Sequence, residues 1–146
     1  MGVVFVSMLA AMQLECLALN IYFEARNQSY DGQLAVSHVV LNRVKHEKFP
    51  NNICDVVKEA NYTSGGHLIR HKCQFSWYCD GLSDQPKELE VWKRSQKVAR
   101  DAYALYINGY DLTEGSTHYH SKKVNPYWNK SMTHIARIDD HFFYKM

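Results

Sequence analysis

Glu24 stands in the run Leu19-Asn20-Ile21-Tyr22-Phe23-Glu24-Ala25-Arg26, an acid among large apolar side chains. On a helix turning about 100° per residue, Leu17, Ala18, Ile21, Tyr22 and Ala25 share one face. Glu24 falls at the edge of that stripe, beside Leu17 and Asn20. A carboxyl group at such an edge is partly desolvated, which raises its pKa. A proton retained near neutral pH is what a general acid needs to protonate a leaving-group oxygen. A solvated glutamate on a helix face is the plainer reading of the same periodicity. Asp31, beyond a polar turn, is the nearest second acid along the chain. It suits either a second working carboxylate or a helix cap. His118 and His120 alternate, so on a strand they share a face and can hold a metal, or simply hydrogen-bond. Arg26 and Arg43 are candidates to bind a carboxylate, or to form structural salt bridges.

These residues need elements to position them. The opening helix is expected to run to about Arg26. The polar turn 27–32 follows, with Ser29 or Asp31 as cap of a second helix over 33–45. That helix carries Ala35, Val36, Val39, Val40 and Leu41, which implies burial on most sides. Phe49-Pro50 stops it, and Asn52 caps a short third helix through Ile53, Val56 and Val57 to Glu59. Residues 61–66 read as a loop hinged at Gly65-Gly66. Residues 67–78 have little helical period and read as a strand or hairpin. Asp84-Gln85-Pro86 opens a long helix with Pro86 near its first turn, ended by Asn108-Gly109. The remainder is loop-rich, with short segments around 117–120 and 141–144. The expected fold class is α+β, mostly helical with a small β hairpin.

A length of 146 residues suits one domain with a real core, here residues 1–146. The 46% hydrophobic and 13% aromatic content argues against disorder. A net charge of +2 is too mild to imply nucleic acid, so none is expected as a partner. The apolar run 3–12 is too short to span a bilayer, and no stable membrane insertion is expected. It reads as the first turns of the opening helix or as a degenerate export signal. The four cysteines, Cys16, Cys54, Cys73 and Cys79, are compatible with two disulfides. Cys73 with Cys79 can close a hairpin, leaving Cys16 to meet Cys54. Four reduced thiols are the alternative.

The segment 17–44 reads LALNIYFEARNQSYDGQLAVSHVVLNRV, followed by Phe49-Pro50-Asn51. Further on come Cys73-Gln74-Phe75-Ser76-Trp77, Cys79-Asp80-Gly81, Thr117-His118-Tyr119-His120, Asn125-Pro126-Tyr127-Trp128 and Ile138-Asp139-Asp140-His141-Phe142-Phe143-Tyr144. In this order the motifs closely resemble the bacterial cell-wall hydrolase family of the spore-cortex lytic enzymes. The resemblance covers about residues 14–144. It implies a lysozyme-like fold, peptidoglycan glycan strands as substrate and Glu24 as catalytic acid.

Substrate contacts are expected from Asp31, Gln33, Gln74, Phe75, Ser76, Trp77, Tyr119, His120 and Trp128. Gln74 to Trp77 alternate polar with aromatic side chains, which on a hairpin can hydrogen-bond a sugar and stack on it. A Tyr119 hydroxyl near the acid can orient it, and Trp128 can wall a groove. Without a firm second carboxylate, one glutamate acting first as acid and then as base becomes attractive, the route of a lytic transglycosylase. No metal or other cofactor is expected, and the chain is expected to act as a monomer. Its place of action is the bacterial cell wall. A phage lysin made in host cytoplasm and released through a holin pore fits the bare domain. Two rivals stay open. One is a metal-dependent N-acetylmuramoyl-L-alanine amidase using His118, His120 and a third ligand, although no H-E-x-x-H motif is present. The other is a catalytically silent peptidoglycan-binding module.

Overall fold

The computed structural model describes residues 7–146. Helix α1 spans Met8–Ala25 and starts where the Ser7 hydroxyl accepts from the Ala10 amide at 3.1 Å. The helical reading therefore holds for residues 8–12, with Ser7 as the cap, while its portion on residues 3–6 lies outside the described residues. Helix α2 spans Tyr30–Lys45. Every residue from Gly32 to Leu41 in it is buried, as its apolar content requires. Asn52 caps the short helix α3, Ile53–Val57, its side chain accepting from the Asp55 amide.

Helix α4 spans Leu89–Ile107, starting later than Asp84-Gln85-Pro86 suggested. Its start is fixed from outside rather than by proline. The Glu88 amide donates to the Tyr22 hydroxyl at 3.1 Å, and the Glu88 carboxylate pairs with Arg26 at 3.2 Å. Both contacts reach back to α1, which no local pattern around Pro86 could announce.

The helices close around one core. Leu17 and Ile21 of α1, Val40 and Leu41 of α2, Val56 and Val57 of α3, and Val98, Ala99 and Ala102 of α4 all meet there. The disulfide Cys16–Cys54 ties α1 to α3.

Strands β1, Ala60–Tyr62, and β2, Leu68–Cys73, form a hairpin; β2 falls in the segment 67–78 read as strand or hairpin, while its partner β1 takes in the first residues of the segment read as loop. Cys73–Cys79 closes the segment that follows. The C-terminal part folds as a three-stranded antiparallel sheet in the order β3-β5-β4, with β3 at His118–Ser121, β4 at Thr133–Ile138 and β5 at His141–Lys145. Strand β4 was not foreseen. Its Thr-His-Ile-Ala-Arg-Ile pattern alternates weakly, and a register irregularity falls between His134 and Ala136. The fold is α+β, as expected.

One face of this sheet packs on α2, where Phe143 joins Ala25, Ala35, Val36 and Val39. The turn between β4 and β5 reaches the start of α2. There the Asp139 carboxylate accepts from the Ser29 amide at 2.8 Å and the Ser29 hydroxyl at 2.6 Å. Ser29 in turn caps α2 by accepting from the Gly32 amide at 3.2 Å. Gly32 is required here, because a Cβ would collide with Asp139 Oδ2 and sit 2.9 Å from Gln28 Cβ.

Candidate active site

Glu24 lies in the last turn of α1, half-buried at the edge of the apolar face. Burial raises its pKa to about 7, against a smaller lowering by the nearby Arg43 guanidinium. The carboxyl is thus balanced between acid and base near neutrality, as a group that must give and then take a proton requires.

Arg43 projects from the buried side of α2 and is only 6% exposed. Its Nε donates to the Thr117 carbonyl at 2.7 Å, and Nη1 donates to Gln74 Oε1 at 3.4 Å. Its guanidinium lies 5.0 Å from the Phe49 ring centroid and 5.4 Å from that of Phe75. Among the described residues no carboxylate reaches it at ion-pair distance. The structural salt bridge expected of Arg43 is therefore replaced by a carbonyl, an amide and two rings. Arg26 does form one, with Glu88.

Tyr119 completes this group. Its hydroxyl is sealed from solvent and has no hydrogen-bond partner. Burial, with the Glu24 charge adding to it, holds its pKa well above the usual phenol value, so it stays protonated. His118, lowered to about 4 by burial and by Arg43, stays neutral at working pH. Glu24 and Arg43 act on each other's ionisation and both act on that of Tyr119, so three separate elements converge on one electrostatic neighbourhood.

The other predicted contacts divide. Asp31 is exposed in the first turn of α2, and the cap it was offered for is Ser29. Gln33 is interior, 1% exposed, and its amide donates to the Ala25 carbonyl at 3.0 Å. It holds the end of α1 directly after Glu24 and has no open face for a sugar.

Gln74 and Ser76 are exposed, but Phe75 and Trp77 are both buried, at 3% and 6%. The alternating strand expected there is instead a 3-10 turn over Ser76–Cys79. That turn brings Trp77 inward to stack on Phe23 at 5.0 Å and to donate from Nε1 to Asn20 Oδ1 at 2.9 Å. Stacking on substrate is therefore not open to Phe75 or Trp77. Asn20, fully buried, is the partner that sequence reasoning missed.

Tyr119 and His120 point to opposite faces of β3 and do not serve one site. His120 faces outward, its Nδ1 paired with the Ser121 carbonyl and its Nε2 with the Tyr144 hydroxyl, both at 2.9 Å. Trp128, half-buried in a 3-10 turn, lies over His118, His120 and Tyr144 at ring-centroid distances of 5.2, 5.7 and 5.4 Å. His118 and His120 share this face, as their alternation predicts. Among the described residues no three His, Cys, Asp or Glu side chains gather as a metal-ligand set. The third ligand that an amidase site would need is not assembled around them.

A family model described as Cell Wall Hydrolase matches residues 27–144, a stretch that begins just after Glu24. The spore cortex-lytic enzyme of Bacillus subtilis (strain 168) is 29% identical over 132 residues, covering 89% of this chain and 36% of that protein. The spore cortex-lytic enzyme of Halalkalibacterium halodurans is 29% identical over 131 residues, 89% of this chain and 34% of that protein. The chain thus spans about a third of the length of these curated relatives. Two solved structures share the fold. The catalytic domain of the germination-specific lytic transglycosylase SleB from Bacillus anthracis has a TM-score of 0.66 at 26% identity, covering 99% of this chain and 100% of that one. The catalytic domain of the Bacillus cereus SleB protein has a TM-score of 0.64 at 28% identity, covering 91% and 89%. A match across most of the chain, with fold and motif order in agreement, means that the chain belongs to the cell wall hydrolase family.

Proposed function

We propose that this chain is a peptidoglycan lytic transglycosylase acting on the bacterial cell wall, and that it cleaves the β-1,4 bond between N-acetylmuramic acid and N-acetylglucosamine. The observation that carries this is the Glu24 carboxyl, poised at about 7 by burial beside Arg43. Relatives named spore cortex-lytic enzymes and a neighbour described as a lytic transglycosylase support the substrate and the reaction type.

The protonated Glu24 gives its proton to the glycosidic oxygen as the bond from muramic C1 to that oxygen breaks. An oxocarbenium-like centre forms on the muramic ring. The resulting Glu24 carboxylate then takes the proton of the muramic 6-hydroxyl as that oxygen bonds to C1. The product is a 1,6-anhydro ring, no water is consumed, and Glu24 ends as it began. Tethering of the 6-hydroxyl to the reacting ring gives it a large effective concentration over water. Of the predicted contacts, Asp31, Gln74, Ser76, His120 and Trp128 keep surface to offer a glycan.

Digestion of purified peptidoglycan in excess chelator, followed by mass analysis, tests the proposal. Anhydromuramic ends, lighter than reducing ends by one water, are expected. Reducing ends alone mean a muramidase that positions water. Free peptides beside intact glycan strands mean an amidase. Bound but uncut strands mean a silent wall-binding module.

A further inference from the structure

A cavity of about 300 Å³ opens on the β1–β2 hairpin, lined by Glu59, Asn61, His71, Lys72 and Gln74 among others. The hairpin register explains the gathering. Ala60 faces Cys73, and the Gln74 amide donates to the Glu59 carbonyl at 3.0 Å, which extends the ladder by one step. Side chains alternate along a strand, so Glu59 and Asn61 share a face with Lys72 and Gln74. A carboxylate and an ammonium therefore open into one recess.

Neither group sits in an ion pair among the described residues. The ion pairs among the described residues are Arg26–Glu88, His38–Asp111, Lys97–Asp101 and Lys122–Asp140. Glu59 and Lys72 have no part in them. His71, which also lines the cavity, holds a left-handed backbone with φ 64°.

The cavity is linked to the acid through Arg43. Gln74 lines it and at the same time accepts from Arg43 at 3.4 Å. Arg43 in turn feels the charges of both Glu24 and Glu59.

A neutral sugar calls for hydrogen-bond groups and ring faces, not for two free ions of opposite sign. The matching ligand carries an ammonium and a carboxylate together. Peptidoglycan has such a component in the short peptide carried on the muramic lactyl group. We infer that the Glu59–Lys72 cavity holds this peptide branch, Glu59 taking its ammonium and Lys72 a carboxylate. The assignment rests on the glycan-cleaving reading above, and it makes the hairpin a reader of whether a strand carries peptide.

The test is a binding measurement that does not depend on turnover. The whole chain is titrated by ¹⁵N NMR with a tripeptide whose N-terminus is acylated, as it is on the lactyl group, and which bears a side-chain ammonium and free carboxylates. Saturable shifts are expected at the amides of Glu59, Lys72 and Gln74. Acetylating the ammonium weakens binding to wild type about fivefold, the scale of one exposed ion pair, and has no further effect on Glu59→Gln. Amidating the carboxylates does the same, with Lys72→Met as the insensitive variant. No shifts at these amides, shifts confined to another surface, or equal acetylation losses in wild type and Glu59→Gln overturn the assignment. Those results leave the glycan reading intact. That reading fails separately, if digests release no cleaved glycan.

Discussion

Arg43 faces Glu24 as a buried cation that lowers the pKa of the acid without forming an ion pair with it. A direct pair would hold Glu24 ionised and useless as a proton donor. Burial without any cation would hold it protonated and reluctant to act as base. The intermediate arrangement leaves Glu24 at about 7.

The pH dependence of lysis follows from this balance. A general acid works only while protonated, so the rate falls as pH rises through about 7. Arg43→Gln removes the charge that lowers Glu24. The other groups near it are Glu59, the neutral His118 and the protonated Tyr119. None of them replaces the cation, so the falling limb moves to higher pH. A pH–rate profile of the folded variant checks this, and a limb that stays in place or moves down would separate Arg43 from the acid.

Glu24→Gln tests the same carboxyl through activity and stability together. The amide cannot donate the proton, and lysis falls by about 10²- to 10⁴-fold. For stability, the folded pKa of about 7 lies above the ordinary glutamate value of 4.5. The folded state therefore binds more protons between those values, and wild-type stability declines as pH rises through that window. Glu24→Gln lacks this decline. Its melting temperature, compared with that of wild type, rises between pH 4.5 and 7 and is level on either side. A flat difference across the window would mean that the carboxyl is not desolvated.

The helices were legible because their signals are local. Ser29 and Asn52 cap where cap residues were expected, and the apolar content of α2 foretold its burial. The partial burial of Glu24 was legible from its place at the edge of a stripe. The inward turn of Trp77 was not, since Phe75-Ser76-Trp77 alternates like a strand. What decides it is Asn20, distant in sequence, together with the short loop closed by Cys73 and Cys79. The role of Arg43 was equally hidden, because its main partner is a backbone carbonyl, and any residue type at position 117 supplies one.

Gly32→Ala destabilises the protein by about 1–3 kcal/mol, the usual range for overpacking. The new methyl meets Asp139 Oδ2 and Gln28 Cβ, and the Asp139 carboxylate is held in place by Ser29. Urea denaturation of Gly32→Ala, Asp139→Ala and the double variant reads the coupling. The double variant is expected to lose less than the sum, because Asp139→Ala removes the clash. Strict additivity would mean that the two residues do not meet.

The two disulfides differ in what they stabilise. Cys16–Cys54 spans a sequence separation of 38, and Cys73–Cys79 one of 6. Loop-closure entropy gives about 4 kcal/mol for the first and about 2 kcal/mol for the second. Cys16→Ser/Cys54→Ser thus shows the larger fall in denaturation midpoint. Cys73→Ser/Cys79→Ser shows the smaller fall but frees the turn that buries Trp77, so its tryptophan fluorescence moves to the red in the folded state. An unchanged emission spectrum would mean that Asn20 and Phe23 hold Trp77 without the crosslink.

Asp31→Asn separates one catalytic carboxylate from two. Asp31 is exposed in the first turn of α2, where its charge favours the helix dipole by about 0.3–1 kcal/mol. The cap itself belongs to Ser29, so Ser29→Ala is expected to lower stability more, by about 1 kcal/mol. Lysis by Asp31→Asn is expected to stay close to wild type, because the anhydro route draws on Glu24 alone. A loss as deep as that of Glu24→Gln, at an unchanged melting temperature, would make Asp31 a second working carboxylate. The digests of wild type would then have to contain reducing muramic ends, since a second carboxylate at the site serves to place water or attack the sugar itself.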